Sequence, residues 1–107
     1  MKNIGEMMRQ AQQMQQRMQE MQDRLAETEV TGRSAAGMVE IAMNGKGVAR
    51  RARIDPSLLK ADEAEVLEDL VVAAINDARA KADAHAQEEM AKLTGGLKLP
   101  PGMKLPF

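Results

Sequence analysis

The sequence predicts an α+β subunit with the element order αβββα. Three observations carry that reading: a long heptad-patterned segment at the N-terminus, three short alternating stretches with a strong hairpin signal, and an alanine-striped segment that precedes a Gly/Pro-rich tail. The first and last have the period of helices, and the middle has the period of strands.

In the first segment Ile4, Met7, Ala11, Met14, Met18, Met21 and Leu25 recur at alternating three- and four-residue steps, an a/d seam. Residues about 2–26 hold no proline and one early glycine, Gly5, so a single long helix is expected. A stripe this narrow, on a helix otherwise rich in Gln, Glu and Arg, cannot bury itself. It has to pack along another helix of the same chain or of a second copy. Methionine at four of the seven seam positions makes that contact adaptable in shape.

From Thr28 the period changes to two. Residues about 28–34 form the first expected strand, weakened by Gly32, and Ser34 to Gly37 is small enough to turn. The second strand, about 38–43, places Val39, Ile41 and Met43 on one face and Met38, Glu40 and Ala42 on the other. Asn44-Gly45 signals a hairpin because both residues tolerate positive φ. The third strand, about 48–54, sets Val48, Arg50, Ala52 and Ile54 against Ala49, Arg51 and Arg53.

Asp55-Pro56 closes the sheet region, with Asp55 placed to cap and Pro56 at the first position of a short helical turn. Asp62 and Glu65 have the spacing of a capping box, starting a helix at about 62–93. Its stripe runs Leu67, Leu70, Val71, Ala74, Ala78, Ala82, Ala86, Met90 and Leu93, and the alanines permit close approach of another backbone. Gly95-Gly96 ends it. A single domain over 1–94 with a Gly/Pro-rich tail at 95–107 follows.

Composition narrows the function. The 107 residues include one aromatic, Phe107, so the core is aliphatic, Met and Ala, and thin enough that burial across a subunit interface is expected. No cysteine and one histidine, His85, exclude disulfides, thiolate metal sites and histidine clusters. No nucleophile, base and orienting group can be assembled, so no enzyme, cofactor or small-molecule substrate is expected. The start lacks the apolar stretch of a signal peptide and no segment reaches membrane-spanning length, which points to a cytoplasmic chain without membrane contact. Fifteen basic against sixteen acidic side chains give a charge of −1, so any nucleic-acid contact has to come from local clustering.

The Met/Gln helix, Val30-Thr31-Gly32, Gly37-Met38-Val39, the Met43-Asn44-Gly45-Lys46-Gly47 hairpin, the Ile54-Asp55-Pro56-Ser57-Leu58-Leu59 exit and the Pro100-Pro101-Gly102-Met103-Lys104-Leu105-Pro106-Phe107 ending together resemble the YbaB/EbfC family of bacterial nucleoid-associated proteins. The resemblance covers essentially the whole chain, and the hairpin with the Asp-Pro-Ser-Leu-Leu exit is its specific part. It implies an αβββα subunit that forms a homodimer through its central region, with helical arms projecting like tweezers, and that binds double-stranded DNA in the bacterial nucleoid without being an enzyme.

Two surfaces are candidates for phosphate contact. In heptad register Glu6, Glu20 and Glu27 fall at c, Lys2 and Arg9 at f, and Arg17 and Arg24 at g, so one flank of the first helix is basic, interrupted by Asp23. The plainer reading is a solvated face with intrahelical pairs such as Glu20 with Arg24. On the third strand Arg51 and Arg53 share a face, with Lys46 just before it, and they either meet phosphate or pair with Glu29 and Glu40 on neighbouring strands. Arg50 belongs to the opposite face and is expected at an interface, not on DNA. Arg79, Lys81 and Lys92 are matched by Asp77, Asp83, Glu88 and Glu89. The expected DNA contacts are therefore Lys2, Arg9, Arg17, Arg24, Lys46, Arg51 and Arg53. The competing expectation is a protein–protein adaptor that docks through the helical arms and the tail without touching nucleic acid.

Overall fold

The computed structural model describes residues 3–93. Lys2 and the tail expected at 95–107 lie outside the described residues. Helix α1 spans Ile4–Glu27, strands β1, β2 and β3 span Glu29–Ser34, Val39–Asn44 and Ala49–Ile54, and helix α2 spans Ala64–Leu93. The three strands form one antiparallel sheet in the order β1-β2-β3. The αβββα order expected from periodicity is the order found.

The alternation in β2 is what makes the core. Val39, Ile41 and Met43 point to one face and are buried there under Ala74, Ala78 and Ala82 of α2. Alanine is the side chain that lets α2 come down this far. A Cβ built on Gly32 would lie 2.2 Å from the Ala74 carbonyl oxygen and 2.2 Å from the Ala78 nitrogen, so the helix backbone rests directly on the backbone of β1. What the sequence marks as a weak point of β1 is the contact that seats the helix.

Side chains of α2 also close the free edge of β1. Asp77 accepts a hydrogen bond from the Arg33 backbone N–H at 2.9 Å, and the Lys81 ammonium donates to the Thr31 carbonyl at 2.9 Å. Asp77 and Lys81 pair with each other at 3.0 Å, and the Ser34 hydroxyl donates to the Leu70 carbonyl at 2.6 Å. An edge strand presents unpaired donors and acceptors, and here the helix answers them. At the other end of the sheet only β2 pairs with β3 among the described residues.

Beyond Ala82, α2 leaves the sheet and becomes the support for α1. Met21, Leu25 and Met90 form a second small core with Met18, Ala86 and Leu93 packed against it. The C-terminal half of the heptad seam is thus closed within the chain. Its N-terminal half is not: Ile4 is 53% and Met7 65% exposed. The molecule is long for its size, with a radius of gyration of 19.7 Å where a compact chain of this length has about 13 Å.

Local details depart from expectation at three places. The Asn44-Gly45 pair does not adopt positive φ; the left-handed residue of the turn is Gly47, at φ 88°. Asn44 instead builds the turn with its side chain, Oδ1 accepting from the Lys46 and Val48 N–H groups at 2.9 and 3.0 Å. Gly45 is small because α1 abuts it: a Cβ would lie 2.8 Å from the Leu25 carbonyl oxygen. In β3 a register shift sets Ala49 opposite Met43, so Arg50 is the extra residue of a β-bulge and the simple alternation read for this strand breaks there. Asp62 lies in a 3₁₀ turn, Ala61–Glu63, and α2 begins only at Ala64. Asp55 does cap, accepting from the Ser57 N–H at 2.9 Å with Pro56 next to it.

Two outcomes follow from this packing. Gly32→Ala should cost about 3 kcal/mol or more, because its methyl group meets helix backbone that cannot move aside; urea unfolding followed by circular dichroism measures it. The Asp77 carboxyl is held below its ordinary value of 3.8 by the Arg33 N–H and by Lys81. A depressed carboxyl stabilises fully above the ordinary carboxylate range and stops doing so as pH falls through its lowered value. Asp77→Asn should therefore lower the urea midpoint at pH 7, with the gap to the parent narrowing towards pH 3. A gap independent of pH would refute the role given to the charged latch.

Candidate nucleic-acid interface

Among the described residues, the basic side chains expected on α1 are on its exposed surface. Arg9, Arg17 and Arg24 lie along about 22 Å of helix axis, at 1.5 Å per residue, and each is exposed. Arg17 and Arg24 are seven residues apart and share a side. The second core then decides what joins them. Because Met21 packs with Met90, the last turn of α2 lies alongside, and Lys92 enters the same cluster. Arg17, Glu20, Arg24, Glu89, Lys92 and Leu93 line a shallow cleft of about 290 Å³ between the helices.

Glu89 is the organising carboxylate of this cleft. Its side chain is only 13% exposed and lies 3.4 Å from Arg24, 3.9 Å from Lys92 and 3.8 Å from His85. One half-sheltered anion thus collects the cations that two helices bring to it, while Arg24 keeps 55% and Lys92 73% of its side chain open to solvent. The plainer expectation for this face, a Glu20 pair with Arg24, is replaced by the interhelical pair with Glu89. In the sequence Lys92 is one of the α2 cations matched by nearby acids. Only the register of Met21 against Met90 reveals its place, and the apolar stripes of the two helices are the signal from which that register could have been sought.

The sheet arginines sit on the face turned away from α2. Arg33, Glu40 and Arg53 are directly opposite one another across the three strands. Glu40 accepts from Arg33 at 2.7 Å and lies 4.0 Å from Arg53. Arg51 pairs with Glu29. Both carboxylates named in the sequence as possible neighbours are therefore engaged. Their hold is partial, since Arg53 remains 86% and Arg51 67% exposed, and exposed pairs of this kind are weak, about 0–1 kcal/mol. Lys46 is exposed on the β2–β3 turn, next to the C-terminus of α1.

The other cations of α2 are spent elsewhere. Lys81 closes the β1 edge, and Arg79 pairs with Asp83 at 3.7 Å with its guanidinium over Gly47. Of the expected set, the structure brings Arg17 and Arg24 together with Lys92, and Arg51 with Arg53. It does not join the two groups, and Lys2 lies outside the described residues.

No helix among the described residues is long and apolar enough to cross a membrane. Residues 1–97 match the model of the YbaB/EbfC DNA-binding family. Curated relatives are similar over the whole of both chains: a nucleoid-associated protein of Rhodospirillum centenum at 64% identity and one of Rhodospirillum rubrum at 59%. A crystal structure of an uncharacterized protein from Helicobacter pylori superposes with a TM-score of 0.77 at 22% identity, covering 86% of this chain and 97% of that one, and so shares the fold. With its whole-length match and the fold that carries it, this chain belongs to the YbaB/EbfC DNA-binding family.

Proposed function

We propose that the protein binds double-stranded DNA as a homodimer, mainly through phosphates, and in that way helps to organise the bacterial nucleoid and to modulate expression. The observation that carries this reading is the exposed basic flank of a projecting helix in a chain of a DNA-binding family. Arg9, Arg17 and Arg24, with Lys2 beyond them, are the principal contacts, and Lys46, Arg51 and Arg53 add to them from the sheet. Lys92 extends the set. Phosphate contact fits a chain whose total charge is −1, because a polyanion meets the local charge of one face, and Arg17 and Arg24 share a side of α1.

The open edge of β3 supports the dimer. Val48, beside that strand, is 56% exposed, and Ile75 and Val72 are 40% and 55% exposed on α2. Arg79 over Gly47 shows that the flank of α2 after Ile75 faces the β2–β3 turn. An unpaired strand beside exposed aliphatic side chains is a surface suited to a second copy. The nucleoid is the compartment of the relatives' names, and it is the place proposed for this protein.

One further observation favours a second reading. Ile4, Met7 and Met8 are exposed apolar groups at the end of α1, as a protein-docking adaptor requires. Partners that persist after nuclease treatment, with purified protein that ignores duplex DNA, would decide for the adaptor.

Fluorescence anisotropy with a duplex should show affinity falling linearly with the logarithm of salt concentration, by about 0.9 per phosphate contact. Arg17→Glu with Arg24→Glu should weaken binding at least about tenfold and flatten that slope while the solution mass is unchanged. Ile75→Glu should halve the mass measured by light scattering, and a parent protein that already runs as a monomer would refute the dimer.

A further inference from the structure

The last carbonyls of α1 have no partners within the helix, and Thr28 and the β2–β3 hairpin supply them. The Gly45 N–H donates to the Leu25 carbonyl at 2.8 Å and to the Thr28 carbonyl at 3.0 Å. The Arg24 carbonyl is taken by the Thr28 N–H and hydroxyl, at 2.9 and 2.8 Å. The Ala26 carbonyl receives two donors, the Asn44 amide at 3.3 Å and the Arg50 guanidinium at 2.5 Å.

Arg50 differs from the other sheet arginines. Arg33, Arg51 and Arg53 each pair with a carboxylate on the sheet. Arg50 has no ion pair among the described residues, and its recorded partner is the end of another element. The bulge explains the difference, because an extra residue in a strand re-aims its side chain. A cation is also the group that a helix C-terminus attracts.

We infer that Arg50 is a positioning residue, delivered by the β3 bulge, that sets the pitch at which α1 leaves the sheet and so tunes DNA affinity without touching DNA. The part that concerns DNA rests on the function proposed above. Leverage makes the junction important: α1 has 24 residues, about 36 Å, so a tilt of about 10° at its base moves its tip by about 6 Å. Phosphate contacts spread along the arm depend on that angle.

The chain has no cysteine, so paired labels can be placed cleanly. Spin labels at Gln13→Cys and Lys60→Cys, in chains diluted with unlabelled protein, report the distance from arm to body within one subunit. Arg50→Gln should broaden or shift that distance, Arg50→Lys should restore it in part, and Arg51→Gln should leave it unchanged. Arg50→Gln should also weaken duplex binding by about tenfold with the salt slope unchanged, whereas Arg17→Gln should lower the slope by about 0.9 per contact. An unchanged distance in Arg50→Gln overturns the inference, and so does a fall in its salt slope, which would make Arg50 a phosphate contact. If Arg50→Gln fails to fold, Arg50→Lys is read by the same two criteria against the parent. A parent protein that ignores duplex DNA sinks the proposed function, and the distances then decide by themselves whether Arg50 holds the arm.

Discussion

The close approach of α2 to β1 is the constraint on which the rest of the molecule stands. With glycine on the strand and alanine on the helix, two backbones meet without intervening side chains. That contact buries Val39, Ile41 and Met43 under a helix with almost no aromatic mass in the chain. It also brings Asp77 and Lys81 within reach of the β1 edge, so the same seating that makes the core closes one side of the sheet. A core this economical leaves α2 free to continue past the sheet.

The continuation gives α1 something to lie on. The two helices meet through Met21, Leu25 and Met90, with the Arg24–Glu89 pair beside them, and the unbranched thioethers suit a contact with few restraints on shape. The arm is thus held by a modest apolar contact along its C-terminal half and a cluster of hydrogen bonds at its base. Its remaining turns present Ile4, Met7 and Met8 beside Arg9 and Arg17.

Charge is sorted by this architecture and not by composition. The nearly balanced total conceals two arrangements: on the sheet, Glu29 and Glu40 are shared among Arg33, Arg51 and Arg53; between the helices, a single sheltered Glu89 faces Arg24, Lys92 and His85. The sheet face is a lattice of local pairs. On both surfaces the cations stay open to solvent, since Arg24 and Lys92, like Arg51 and Arg53, keep more than half of their side chains exposed.

Local sequence by itself determined the element order, the buried face of β2, the cap at Asp55 and the basic flank of α1, because each depends on residues close in the chain, on the fixed periods of helix and strand or on the capping chemistry of Asp-Pro. The family, too, was legible, since its hairpin and exit motifs are continuous in sequence. Only the tertiary structure decided which half of the Met seam is covered, that Gly32 is a seat and not a flaw, that Lys92 joins Arg17 and Arg24, and that Arg50 leaves the sheet pattern to hold α1. Each of those facts is a register between segments distant in the chain or the consequence of one extra residue in a strand. Neither leaves a periodic trace in the sequence, because both are set by how whole elements settle against one another.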